Sequence, residues 1–235
     1  MIVSSPKHRF HGRRKGKTLT AYRKDLMESE LEKYSLSVIP AKAGISNQVD
    51  PSFCWDDINE RQTWFEIGFG NGEFLSHISQ NHPEINLIGC EPFMNGVAAL
   101  LASLDKPVHN LKIWHDDARI LMDTIPDASL NRVYLLNPDP WPKTRHHKRR
   151  FVQTETLDDI ARLLKPNGQF IMSTDVADLA NWMHEKTWNH DAFEWTSTSQ
   201  DDWLSPPDDW PLDKTRYMKK ALGGETIYWL KFKRI

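Results

Sequence analysis

Pro138-Asp139-Pro140-Trp141 sets one carboxylate between two prolines and follows it with a large aromatic ring. Proline fixes φ and has no amide to donate, so the pair ends the apolar run Val133 to Leu136 and stiffens what comes next. Directly beyond lies Lys143-Thr144-Arg145-His146-His147-Lys148-Arg149-Arg150, a dense cationic run. A rigid acid beside an aromatic and a basic patch suits a cationic cofactor and an anionic substrate. Trp141 has two readings from sequence, a surface that stacks a base and a buttress for the loop.

Four more acids fall at or just after apolar runs: Glu66, Glu91, Asp117 and Asp175. Glu66 stands ahead of Gly68, Gly70 and Gly72, a G-x-G-x-G turn that is not the dinucleotide fingerprint. A carboxylate there opposes a pyrophosphate but suits the ammonium of an amino-acid moiety. Glu91 falls where an acid reaches ribose hydroxyls, and Asp117 with Ala118 can meet an adenine amino group. An adenosyl ligand with a positively charged amino-acid tail is S-adenosylmethionine. Each feature has a plainer reading, glycine for a tight corner and acid for a helix N-cap at Asp117 and Asp175. Five acids at one sheet edge outrun that reading.

These residues need a frame that brings them together. From Thr63 the sequence alternates strand and helix. Strands are expected at Thr63–Ile67, Asn86–Glu91, Leu111–Trp114, Arg132–Leu136, Gln169–Ser173 and Thr226–Phe232. Helices are expected from the glycine turn to Gln80, at Met94–Leu104, to Met122, at Lys148–Leu164 and at Asp175–Thr187. Alternation of this kind gives an α/β, mostly parallel, doubly wound sheet, whose ligands sit beyond the strands' carboxyl ends. The expected division is 1–54 for a basic arm, a short helix from Thr20 and a linker, then 55–235 for the main domain. Pro40 to Phe53 is small, polar and aperiodic, which reads as a linker or insertion.

At 235 residues the chain suffices for one sizeable α/β domain with an extension. Its net charge is only −2, so affinity for nucleic acid must come from local clusters: the cationic run above and the arm with Arg9, Arg13, Arg14, Lys15 and Lys17. Cys54 and Cys90 are too few for a disulfide framework or a zinc site, and the adjacent His146 and His147 lack further ligands, so no metal is expected. No apolar stretch spans a bilayer, and a cytoplasmic setting is expected.

Phe65-Glu66-Ile67-Gly68-Phe69-Gly70-Asn71-Gly72, the Pro138–Trp141 block with Lys143 and His146 to Arg150, Ser173-Thr174-Asp175, and Thr215-Arg216-Tyr217 together resemble the tRNA (guanine-N7-)-methyltransferase family. The likeness runs from about Trp64 to the C-terminus. It implies a Rossmann-like class I methyltransferase fold with an antiparallel C-terminal strand. The implied reaction moves a methyl group from S-adenosylmethionine to N7 of guanosine 46 in the tRNA variable loop. By the same resemblance Glu66, Glu91, Asp117 and Asp139 match cofactor-site acids, Asp139 being also the active-site residue. Lys143, Asp175, Thr215, Arg216, Tyr217 and Met218 match substrate-binding positions; Met218 stands where the family usually has Glu. Arg145, Lys148, Arg149 and Arg150 are expected to grip tRNA phosphates. Two rivals remain at this point, a nicotinamide-dependent oxidoreductase and a catalytically impaired RNA-binding protein on the same scaffold. Sequence leaves monomer and homodimer both open.

Overall fold

The fold comes from a computed structural model that describes residues 12–36, 61–199, 201–212, 218 and 223–235, with the backbone of 38–39 and 48–49. The basic arm leads into α1 (Ala21–Ser29), capped by the Thr20 hydroxyl, and a single turn α2 (Leu31–Tyr34). The alternating part follows: β1 (Gln62–Ile67), α3 (Glu73–Asn81), β2 (Ile85–Cys90), α4 (Met94–Ser103), β3 (Leu111–Trp114), α5 (Ala118–Met122) and β4 (Leu130–Leu136). After a 3-10 helix at Thr144–Arg149 come α6 (Thr154–Leu163), β5 (Leu164–Thr174), α7 (Ala177–Trp188), β6 (Phe193–Trp195) and β7 (Tyr228–Arg234).

The seven strands form one sheet in the order β3-β2-β1-β4-β5-β7-β6. Strands β1 to β5 are mutually parallel, and β7 runs antiparallel to both β5 and β6. The order reverses at β1 and β4, the switch point where such sheets open a ligand crevice. Side chains alternate across the sheet, and both faces are covered, which explains the nearly unbroken apolar runs. Phe65, Val133, Phe170 and Met172 join the core under α5, α6 and α7. Trp64, Leu87, Tyr134 and Ile171 join the core under α3 and α4, where Trp64, Phe74, Tyr134 and Trp210 stack into one aromatic block.

The expected elements are present with some ends shifted, such as β5, which begins at Leu164 and not at Gln169, and further differences stand out. The helix expected from Lys148 begins only at Thr154. Gln153 and Thr156 make reciprocal capping bonds there, and Glu155 occupies the first turn. Cations at a helix N-terminus oppose its dipole, so the cationic run stays outside the helix. The short strand β6 went unforeseen, because of its three residues only Phe193 is buried. Within the stretch read as a linker, Gln48–Val49 pairs antiparallel with Val38–Ile39; most of that stretch lies outside the described residues.

Candidate active site

Glu66 is the next-to-last residue of β1, flanked in the sheet by Gly89 of β2 and Tyr134 of β4. Its carboxyl is buried, 4 % exposed, and its Oε2 has no hydrogen-bond partner. Burial, with the neighbouring Glu91 and Glu73 adding repulsion, pushes its pKa up to about 8. The chain then turns through Gly68, Gly70 and Gly72, all at positive φ, which explains glycine at each. Gly70 in turn lies so near α4 that a Cβ on Gly96 would stand 2.1 Å from its carbonyl oxygen.

Glu91, just beyond β2, ties this corner together. Its Oε2 accepts from the Gly70 amide at 2.7 Å and its Oε1 from the Phe93 amide at 2.8 Å. Burial raises its pKa to about 7 against the pull of those two amides, and the Asp139 charge adds to the rise. Asp117 caps α5 as the plainer reading expects: Oδ1 accepts from the Arg119 amide at 3.0 Å, and the carboxylate also holds the Arg119 guanidinium, at 2.7 Å for the closer nitrogen.

These residues converge. One cavity of about 620 Å³ beyond the carboxyl ends of β1, β2 and β4 is lined by Glu66, Gly68, Gly70, Glu91, Asp117, Ala118 and Asp139. Gly72 is the predicted cofactor residue that does not line it; it caps α3 instead, against Leu100. Sequence reasoning missed Gly12, Arg13, Phe93, Asn137 and Phe151, which also form the wall. The only local signal for Arg13 was its place in a basic arm, which reads as a phosphate binder. In the fold the arm runs along the start of α4 instead. The Met94 amide donates to the Arg14 carbonyl at 3.0 Å, Asn95 bonds both Gly16 and Lys17, and Arg14 pairs with the buried Asp116 at 2.7 Å.

Asp139 sits at the rim, largely exposed on one side, while the cavity wall desolvates its carboxyl and raises its pKa; the Arg13 charge opposes that rise. The loop that carries it is bounded by two left-handed residues, Asn137 at φ 49° and Trp141 at φ 43°. Both are non-glycine, so the loop stores local strain of about 1–3 kcal/mol per residue. Trp141 faces the cavity, with the Arg149 guanidinium 5.0 Å above its ring and His146 edge-on at 6.0 Å.

Of the cationic run, Lys143, Arg145 and Lys148 are exposed and Arg149 is half-buried. Arg150 corrects the phosphate expectation. It is 2 % exposed and turned inward, with Nε donating to the Pro140 carbonyl at 3.0 Å and Nη2 to Asp178. His147 likewise packs on Trp182, 5.4 Å between rings.

Of the predicted substrate residues, the described ones, Lys143, Asp175 and Met218, do not line this cavity. Asp175 lies beyond β5 and accepts from the Gly223 amide at 2.7 Å. It is not the cap of α7, which falls on Val176. Met218 is buried in the core that contains Trp229, and it borders a separate hollow of about 290 Å³ with Glu225 and Ile227. Thr215, Arg216 and Tyr217 lie outside the described residues.

The cavity is of a size for a small ligand. Five acids and three arginines line it, and its deepest carboxylate has an oxygen awaiting a donor. A buried acid in that condition calls for a cation, as the amino-acid end of S-adenosylmethionine would supply. No cluster of metal-ligating side chains occurs among the described residues, and no described helix is long and apolar enough to cross a membrane.

Comparison with known proteins identifies the family. A family model described as "Putative methyltransferase" matches residues 60–228. The tRNA (guanine-N(7)-)-methyltransferase of Roseobacter denitrificans is 42 % identical over 233 residues, covering 97 % of each chain. That of Paracoccus denitrificans is 39 % identical over 232 residues, covering 97 % of this chain and 96 % of its own. Among solved structures, a variant of the 16S rRNA (adenine(1408)-N(1))-methyltransferase from Catenulisporales acidiphilia superposes with a TM-score of 0.51. It shares 15 % identity and covers 85 % of this chain and 97 % of its own, which speaks for the fold alone. With a matching family model, relatives aligned along nearly their whole length and a class I methyltransferase sheet, this chain belongs to the tRNA (guanine-N7-)-methyltransferase family.

Proposed function

We infer that this chain transfers a methyl group from S-adenosylmethionine to N7 of a guanine in tRNA, with guanosine 46 of the variable loop as the target. Within this chain the observation that carries the reading is the buried Oε2 of Glu66, which has no hydrogen-bond partner, in the cavity whose rim holds Asp139. The cofactor supplies an electrophilic methyl group on a positively charged sulfur. Glu66 receives the ammonium of its amino-acid end, Glu91 the ribose hydroxyls, and the Asp117–Ala118 wall the adenine edge. Gly68 and Gly70 keep the first turn free of side chains.

Guanine N7 carries an in-plane lone pair and needs no base to free it. The protein's task is therefore alignment and close approach, which can account for much of a rate enhancement. Asp139 orients guanine through its N1 and N2 donors and favours the nearby positive sulfur. Burial against the cavity wall raises its carboxyl pKa, and the Arg13 charge opposes that rise. Lys143, Arg145 and Lys148 contact phosphates, and Asp175 with the segment from Thr215 to Met218 serves the tRNA side. A cytoplasmic setting is part of this reading.

Both rivals lose ground. A pyrophosphate-bearing nicotinamide cofactor would meet the Glu66 carboxylate at the glycine turn, and a binding-only protein would have no use for a buried, unbonded carboxyl oxygen there. The test is incubation with methyl-labelled S-adenosylmethionine and unmodified tRNA, then digestion to nucleosides. Label should appear in 7-methylguanosine and vanish with Asp139→Ala. Label in another nucleoside, or none, would overturn the reading.

A further inference from the structure

We propose that Arg150 is a positioning residue for Asp139: it fixes the Pro138–Trp141 loop against α7, and so sets the carboxylate's place from outside the cavity. The proposal rests on the reading of Asp139 above. Its starting point is a deficit in the loop. Asn137 at the loop's start donates its N–H to the Ser173 carbonyl at 2.8 Å, but Pro138 and Pro140 have no N–H, so the two residues flanking Asp139 can be anchored only through their carbonyl groups. The Pro140 carbonyl, adjacent to Asp139, accepts from Arg150 Nε at 3.0 Å. The same guanidinium donates through Nη2 to Asp178 on α7 and lies 5.1 Å over the Trp182 ring. Trp182 is held in turn by its own bond to the Val152 carbonyl at 2.9 Å.

The neighbouring arginine completes the grip. Arg149 faces the other way, onto Trp141, so two successive arginines hold the loop at the Pro140 carbonyl and the Trp141 ring. A planar guanidinium suits this post, since it donates in two directions while stacking on an aromatic face, which an ammonium cannot do. The loop is strained at both ends, and a strained segment persists only where its surroundings over-determine it. Arg150 supplies that constraint from α7.

The experiment combines Arg150→Met, Arg150→Lys, Asp139→Asn and the double variant Arg150→Met with Asp139→Asn. Readouts are single-turnover methyl transfer, calorimetric binding of S-adenosylmethionine, and tRNA affinity against salt. The expected result for Arg150→Met is a loss of about 10²-fold in the transfer rate, the scale of a small misplacement. Cofactor affinity should change no more than in Asp139→Asn, the salt slope of tRNA binding should stay unchanged, and Arg150→Lys should recover part of the loss. In the double variant the rate should be no lower than in Asp139→Asn alone. Additive losses would overturn the proposal, as would a salt slope reduced by about one, the mark of a lost phosphate contact. An Asp139→Asn enzyme with an undiminished rate would instead overturn the reading of Asp139. Should Arg150→Met not fold, Asp178→Asn loosens the same clamp from its exposed side. A lowered transfer rate with intact cofactor binding then supports the proposal, and an unchanged rate overturns it.

Discussion

Glu66 is an acid held where its charge is costly. Its carboxyl pKa, pushed to about 8, lies above the ordinary value, so the folded ligand-free protein holds a proton there that the unfolded chain releases near pH 4.5. Stability of the ligand-free protein therefore falls as pH rises from about 4.5 toward 8, since the native state binds more protons over that window. A cationic ligand needs the charged form, so binding of S-adenosylmethionine should release a proton and tighten between pH 6 and 7.5. Calorimetry in buffers of different ionisation heat measures that proton directly. Glu66→Gln should bind the cofactor about 10- to 10²-fold more weakly, as expected on losing a charge-assisted hydrogen bond, and should shed the linked proton. An unchanged linkage in the variant would assign the proton to Glu91. The strand-end acids were legible because each ends an apolar run, a purely local pattern. Arg150 was not, because its burial depends on Asp178 and Trp182 on α7, and nothing in Lys143–Arg150 distinguishes the one cation that turns inward.

The glycine turn and α4 form one mechanical unit. Gly96 leaves room for the Gly70 carbonyl, and the Gly70 amide is one of two holding Glu91. Gly96→Ala puts a methyl group against rigid backbone, so it should cost about 2 kcal/mol of stability, in the range for overpacking. It should also weaken cofactor binding, because the turn can yield only by moving Gly70 away from Glu91. Thermal unfolding and calorimetry on the one variant check both; a stable variant with weak binding would separate turn geometry from folding. At this scale the strand and helix alternation was readable from sequence, but the start of α6 and the edge strand β6 were not. The start of α6 is set by the Gln153–Thr156 cap and by the dipole's rejection of cations, a finer signal than apolar spacing. The edge strand β6 has one buried side chain and gains its place only by pairing with β7.

Across the whole molecule, a net charge of −2 hides a strong separation of charge. Acids gather in the cavity, while Lys143, Arg145 and Lys148 stand exposed outside it, and Arg13 and Arg14 reach the acids from the arm. tRNA affinity should fall steeply with added salt, and Arg145→Ala with Lys148→Ala should lower the logarithmic slope by about one for each contact removed. A flat salt response would remove the exposed run from the interface. The fold class and the family were legible because glycine turn, proline-flanked acid and cationic run lie in order along one chain. The arm's contribution was not legible, since Arg13 reaches Asp139 only after the chain folds back along α4. The central claim is that the acceptor atom is N7 of guanosine 46. It is tested most directly with tRNA that carries 7-deazaguanosine at that one position, where a carbon replaces the nucleophilic nitrogen and the rest of the substrate is kept. The account predicts normal binding with no methyl transfer to the deaza tRNA and full transfer to its guanosine counterpart; transfer of methyl groups to both would contradict it.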